Sequence, residues 1–171
     1  MHVTKRDGEK EEFSVEKIHK VVQWATKDTN GVSFSDIEMN ANLSLYDGIT
    51  SSEIHQILIK SANDLISESA PNYQYVAARL LNMQLRKQVW GCGDHPPDFL
   101  LFLQRNVDNG IYDPNMLDKW EMETVELLGK YIDHTRDDKF TFAGLQQLID
   151  KYLVKNRSNG TIYETPQFAY M

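Results

Sequence analysis

Across 171 residues, 18 Lys and Arg stand against 25 Asp and Glu, a net charge of −7, beside a 41% hydrophobic fraction and a single cysteine, Cys92. The acidic balance excludes wholesale binding to nucleic-acid backbone, and one thiol excludes an internal disulfide, a dithiol redox pair and a cysteine-rich zinc site. No apolar run approaches the ~20 residues of a membrane helix, and the polar, charged start does not read as a secretory leader. These features suit a cytoplasmic chain of one domain, or of one small domain with an appendage. Charge is uneven. Through Gly91 there are ten Lys and Arg against twelve Asp and Glu, and beyond it eight against thirteen. The first part is therefore the better place for an anion.

The elements follow in chain order. Val3-Thr4-Lys5-Arg6 alternates as a short strand does, Asp7-Gly8 is a hairpin turn, and Glu11-Glu12-Phe13 returns. Ser14 suits a helix N-cap, its hydroxyl accepting a free backbone N–H, with Phe13 and Ile18 as a hydrophobic staple. Val15, Ile18, Val21, Val22 and Ala25 form the apolar face of a first helix that Asn30-Gly31 ends. Ser35-Asp36-Ile37-Glu38 reads as a capping box before Ile37, Ala41 and Leu45. After the break at Asp47-Gly48, Thr50-Ser51-Ser52-Glu53 is a second capping box. It opens a helix with Ile54, Ile57, Leu58, Ala62, Leu65 and Ile66 on one side. Pro71 starts a fourth helix, faced by Tyr73, Val76, Ala77, Leu80 and Met83 and stopped by Gly91.

The run Gly91-Cys92-Gly93-Asp94-His95-Pro96-Pro97 marks a boundary. Beyond it, Asp98 to Asn109 is a helix ended by Gly110. Asp113-Pro114 restarts helix, and Glu121 to His134 and Phe142 to Leu148 give two more. Tyr152-Leu153-Val154 and Thr161-Ile162-Tyr163 look like short strands around Ser158-Asn159-Gly160. Pro166 to Met171 begins an apolar helix that stops after a turn or two. Such a stub either packs on another polypeptide or folds back on its own unit. The fold class is mainly α (α+β). A small β-hairpin is covered by four helices, and a helical segment with a short strand pair follows.

Several side chains suit phosphate chemistry. Lys5 and Arg6 lie on the hairpin. Ser51 and His55 stand four apart at the positive end of the third helix, and Lys87 lies near the end of the fourth. Each also has a plainer reading. Lys5 and Arg6 decorate a solvated edge, Arg86-Lys87 complement a helix dipole, and His55 is a partly buried histidine. Asp133-His134-Thr135-Arg136-Asp137 reads as an ion-paired structural cluster. Neither a Walker loop nor a dinucleotide fingerprint nor a His-Glu-x-x-His motif occurs.

Val3-Thr4-Lys5-Arg6-Asp7-Gly8, Lys17-Ile18-His19, Tyr46-Asp47-Gly48-Ile49 and Ala70 to Arg79 followed by Leu85-Arg86-Lys87 resemble the ATP-cone of aerobic (class I) ribonucleotide reductase large subunits. Ile132 to Asp137, Lys151 to Asn156 and Tyr163 to Phe168 are similar to the segment that joins cone and catalytic barrel there. The resemblance implies a cone over residues 1–91, a linker over 92–97, and a helical segment over 98–171 that stops before the barrel. It further implies an allosteric site for ATP or dATP with Mg2+, and no metal or redox cofactor on this chain itself. The residues carried over are Val3, Lys5, Arg6, Glu11, Glu12, Phe13, Ser14, Val15, Glu16, Lys17, Ile18, Ser51, His55 and Lys87. Lys5, Ser51, His55 and Lys87 face phosphate in this reading, and Glu11, Ser14, Lys17 and Ile18 surround sugar and base. Gln84 stands where some members carry histidine.

The partners implied are the rest of the large subunit, with its catalytic barrel, and the small radical-generating subunit. Neither nucleic acid nor membrane is implied. In the family, three cysteines in the barrel carry the radical chemistry, and Cys92 corresponds to none of them. The chain then reads as the sensing part of a split or truncated reductase subunit, not a catalyst by itself. The alternative is a non-enzymatic nucleotide-binding module that interacts with reductase subunits. A cone-bearing transcriptional repressor needs a zinc ribbon that one cysteine cannot build.

Overall fold

The computed structural model describes residues 1–91 and 95–171. Cys92, and with it the first half of the expected linker, lies outside the described residues. The chain forms two compact units. One comprises Met1–Gln84 and Asp138–Gln146, the other Leu85–Asp137 and Gln147–Met171.

The first unit opens on strands β1 (His2–Thr4) and β2 (Lys10–Glu12), antiparallel, with Val3 opposite Glu11. The expected two-residue turn at Asp7-Gly8 is instead a loop from Lys5 to Glu9. Lys5 N–H donates to the Glu9 carbonyl at 2.7 Å, and Glu9 N–H donates to Asp7 Oδ1 at 3.0 Å. The first strand is therefore shorter than expected, the second starts one residue earlier than expected, and Lys5 and Arg6 belong to the loop. Gly8 takes the left-handed conformation that the loop requires, at φ 88°.

Four helices follow: α1 (Val15–Thr26), α2 (Phe34–Asn42), α3 (Ser51–Asp64) and α4 (Tyr73–Trp90). They close over a core of Val22, Ala25, Ile37, Ala41, Leu58, Ala62, Tyr73, Val76, Ala77 and Leu80. These are the apolar stripes that the 3.6-residue period places inward.

Several boundaries differ from the sequence reading. Ser14 occupies the N-cap of α1 in extended geometry, but its hydroxyl makes no capping bond. Val15, counted on the apolar face of α1, is 64% exposed. α1 stops at Thr26, short of Asn30-Gly31. Asp28 turns left-handed at φ 57°, and Arg79 Nη1 takes the carbonyls of Ala25 and Lys27 at 3.0 and 2.7 Å. The N-cap of α2 is Ser33, whose hydroxyl accepts Asp36 N–H, two residues ahead of the expected Ser35. Glu38 is thereby released from a capping box and pairs with His19 Nδ1 at 2.9 Å. The box on α3 forms as expected, with Thr50 Oγ1 accepting Glu53 N–H and Glu53 accepting Thr50 N–H. Pro71 lies in the turn before α4, which begins at Tyr73.

The second unit holds α5 (Phe99–Asp108), α6 (Asn115–Asp118), α7 (Met122–Tyr131) and a 3-10 turn whose last residue within the unit is Asp137. The end of α8 (Phe142–Lys151) and α9 (Pro166–Ala169) complete it. His134 leaves the helix expected to include it and opens the 3-10 turn (His134–Lys139). The two strands expected at 152–154 and 161–163 reduce to one antiparallel bridge, Lys155 to Ile162. Tyr152 and Leu153 instead continue the bonding of α8, both donating to the Leu148 carbonyl. Val154 N–H donates to the Glu164 carboxylate at 2.7 Å.

The terminal stub folds back. Pro166, Gln167 and Phe168 are buried, and the Phe168 ring lies 4.3 Å from Phe102 and 4.9 Å from His134, centre to centre. Asp133-to-Asp137 is the structural cluster expected of it, since Arg136 pairs with Asp133 and Asp137 is fully buried beside Arg86.

His134 gives this unit a pH dependence. Burial, and then the neighbouring Arg86 charge, push its imidazole down from 6.5 to about 4. Above pH 6.5 the ring is neutral in folded and unfolded chain alike. Between 6.5 and about 4 only the unfolded chain takes the proton, so stability falls as pH falls through that window. The urea midpoint is expected to drop between pH 7 and pH 5, and the drop is expected to shrink in His134→Phe. An equal drop in that variant would assign the effect elsewhere.

Candidate functional site

The candidate site grows from how β1 is held. On one edge it pairs with β2. On the other, Thr4 forms a parallel bridge to Thr50, with Thr4 N–H donating to the Ile49 carbonyl at 2.9 Å. Asp47 anchors the same segment by accepting His2 N–H at 2.6 Å. Because the bridge is parallel, the next residues on each path, Lys5 and Ser51, leave it side by side. Ser51 is the first residue of α3, at the positive end of a helix of 14 residues.

Lys5 does not stand alone there. Its ammonium lies 3.3 Å from Glu11 Oε2 and 3.6 Å from Glu9, while Lys17 Nζ reaches both Glu11 oxygens at 2.9 Å. Glu11 thus bridges two cations from different elements. The Lys17 hydrogen bond, followed by that from Lys5, holds its carboxyl below the usual range. The same contact with Glu11 holds the Lys5 ammonium above its ordinary value. With Glu9 included, two cations face two carboxylates, and the formal charges of the cluster sum to zero. The Lys5 side chain is 39% exposed, so its ammonium is open to solvent.

His55 lies one turn along α3 from Ser51 and is 6% exposed. Its Nε2 is 2.7 Å from the Leu80 carbonyl. A carbonyl only accepts, so the ring carries its proton on Nε2 and is fixed to α4. Beside the hairpin, Phe13, Val15 and Ile18 line an apolar cleft of about 260 Å³ with Glu38, Met39, Ala41, Asn42, Leu45 and Leu58.

The remaining expected residues fall less centrally. Val3 is buried in the core, and Arg6, Glu12 and Glu16 are exposed. Ser14 caps α1 by backbone geometry alone. Lys87 sits on the last turn of α4 and belongs to the second unit. The structure therefore brings together Lys5, Glu11 and Lys17, places Ser51 one residue past the Thr4–Thr50 bridge with His55 one turn on, and groups Phe13, Val15 and Ile18 at the cleft.

Sequence reasoning missed the far wall of the cleft. Met39 and Asn42 lie off the apolar stripe of α2, so periodicity gave no signal for them. Glu38 was absorbed into a capping box that does not form. Among the described residues, no group of three His, Cys, Asp or Glu is placed to hold a metal ion, and no helix is long and apolar enough to cross a membrane.

The ATP cone domain family matches residues 1–88. The chain belongs to that family. Its likeness to known proteins continues past the cone. It is 44% identical over 169 residues to the ribonucleoside-diphosphate reductase 1 subunit alpha of Escherichia coli (strain K12), covering 99% of this chain and 22% of that protein. It is 43% identical over 173 residues to the ribonucleoside-diphosphate reductase subunit alpha of Enterobacteria phage T4, covering 100% and 22%. The subunit alpha of Haemophilus influenzae is 43% identical over 169 residues, again with 22% of its length covered. The match falls on the N-terminal region of these subunits, and the chain spans about a fifth of their length.

Proposed function

We propose that this chain is the nucleotide-sensing part of a ribonucleoside-diphosphate reductase large subunit. In this reading it binds ATP or dATP as an allosteric effector and regulates the reduction of ribonucleotides to deoxyribonucleotides. The observation that carries the reading is the Thr4–Thr50 bridge, which sets Lys5 beside the first turn of α3. A cation and a hydroxyl at the first turn of a helix belong to the donor set that phosphates require. Likeness to reductase alpha subunits along the whole chain, beyond the cone, supports a reductase setting over a free-standing module.

In this reading Lys5 and Ser51 hold phosphate, and Lys87 is proposed as a further phosphate contact. Lys5 exchanges part of its contact with Glu11 for the phosphates, while Lys17 keeps Glu11 ionised and in place. The cleft at Phe13, Val15 and Ile18 takes the flat apolar face of a base. His55, bonded through Nε2 to Leu80, lends rigidity behind the phosphates. Mg2+ enters with the triphosphate. Residues 1–91 act as the sensing cone and 98–171 as the segment leading to the rest of the large subunit. That remainder and the small radical-generating subunit are the partners, in the cytoplasm.

Calorimetric titration of the chain with ATP, dATP and GTP, each with Mg2+, tests this. Saturable binding of an adenine nucleotide, stronger than that of GTP, is expected. Absence of binding at millimolar ATP and dATP would overturn the reading.

A further inference from the structure

Lys5 is held less closely than Lys17, and the difference lies in the hairpin loop. Lys17 Nζ reaches both Glu11 oxygens at 2.9 Å, the spacing of a charge-assisted hydrogen bond. Lys5 Nζ lies 3.3 Å from Glu11 Oε2 and 3.6 Å from Glu9 Oε2, so it is shared between two carboxylates and bonded closely to neither. The two carboxylates differ in what else holds them. Glu11 keeps Lys17 whatever Lys5 does, and its side chain is 29% exposed. The Glu9 side chain is 72% exposed, and among the described residues Lys5 is its one cationic partner.

Glu9 is nonetheless more than a chance surface neighbour. An exposed ion pair usually loses much of its gain to the freedom that two long side chains give up. Here Lys5 N–H donates to the Glu9 carbonyl at 2.7 Å, Gly8 N–H donates to the Lys5 carbonyl at 3.1 Å, and Asp7 Oδ1 accepts Glu9 N–H at 3.0 Å. These bonds fix both backbones, so the loop itself keeps the Glu9 carboxylate within reach of the Lys5 ammonium.

We infer that Glu9 is an internal counter-ion for Lys5, displaced into solvent when phosphate takes the ammonium, and that it thereby sets the effector concentration at which the site fills. The inference rests on the proposed function, in which Lys5 holds phosphate. Phosphate can take Lys5 because neither carboxylate grips it closely. Glu11 stays on Lys17, and Glu9, already exposed, moves to water at small cost. Every ligand that uses Lys5 must first displace Glu9, so the site fills at a higher concentration than the lysine alone would give. Because the pair is exposed, its worth is small and screened by salt, and the set point moves a few-fold rather than by orders of magnitude.

The test uses the full chain, with ATP and Mg2+ as the probe. Calorimetry at low salt compares the wild type, Glu9→Gln, Lys5→Ala and the double variant. Glu9→Gln is expected to bind ATP about threefold more tightly, in keeping with the small worth of an exposed pair. The gain is expected to vanish at high salt. Repulsion between carboxylate and phosphate across space would give a similar gain, and the cycle separates the two. If Glu9 acts through Lys5, the same substitution made on Lys5→Ala brings no gain. An undiminished gain there overturns the counter-ion role. Glu9→Asp decides the matter if Lys5→Ala binds too weakly to measure. It keeps the charge in the loop on a shorter arm, and it is expected to bind ATP more tightly than the wild type. Affinity no better than that of the wild type would assign the effect to repulsion and overturn the inference. Unchanged ATP affinity in Glu9→Gln overturns the inference and leaves the proposed function standing. Absence of ATP binding by the wild-type chain overturns both, which separates the two failures.

Discussion

Asp137→Ala is expected to lower the unfolding free energy of the chain by about 3–5 kcal/mol, the usual loss when one partner of a buried charge pair is removed. The reason is the neighbourhood. With the carboxylate gone, the Arg86 guanidinium keeps its 12% exposure but loses its counter-charge, and the Gln167 amide loses its acceptor. Charge and burial can be separated by Arg86→Met combined with Asp137→Ala. The double variant removes both charges, so its loss is expected to be smaller than the sum of the two single losses. Urea unfolding of the four proteins measures this cycle. Additive losses, or a loss below about 1 kcal/mol for Asp137→Ala, would show that the pair does not hold this unit together.

The same cluster shows where sequence reasoning stops. Asp133-to-Asp137 is legible as an ion-paired structural cluster from its composition alone. Its partners are not, because Arg86 and Gln167 lie far away along the chain and no local rule connects them. Signals that act within a few residues came through. The Thr50–Glu53 box and the glycine stops at Gly91 and Gly110 all form where local chemistry places them. Features settled by competition did not. Ser14 had the right residue type for a side-chain cap, yet makes no such bond. The expected strand at 152–154 lost Tyr152 and Leu153 to the end of α8 and the Val154 N–H to Glu164. In the candidate site, residue types pointed to Lys5 and Ser51 separately. What sets them side by side is the bridge between Thr4 and Thr50, a pairing with no sequence signature.

Within the proposed function, Lys5→Ala is expected to weaken ATP binding by about 10- to 100-fold, the range that one hydrogen bond to a charged group supports. Lys5 is the cation whose backbone position the bridge fixes beside Ser51, so little freedom is lost when it takes phosphate. Lys5→Arg keeps the charge but replaces a compact ammonium with a planar fork. It is expected to recover part of the affinity, which separates charge from geometry. Lys10→Ala, on the exposed face of β2, removes the same charge from the same hairpin and is expected to bind ATP almost as the wild type does. Lys87→Ala tests the second point charge and is expected to lose affinity comparably. Calorimetry at two salt concentrations reads all four variants, and the fall of affinity with salt is expected to be shallower where a phosphate contact is lost. Equal weakening by Lys5→Ala and Lys10→Ala would mean that the hairpin attracts nucleotide only by its overall charge. A loss confined to Lys5 and Lys87 would instead assign phosphate contact to those two ammonium groups individually.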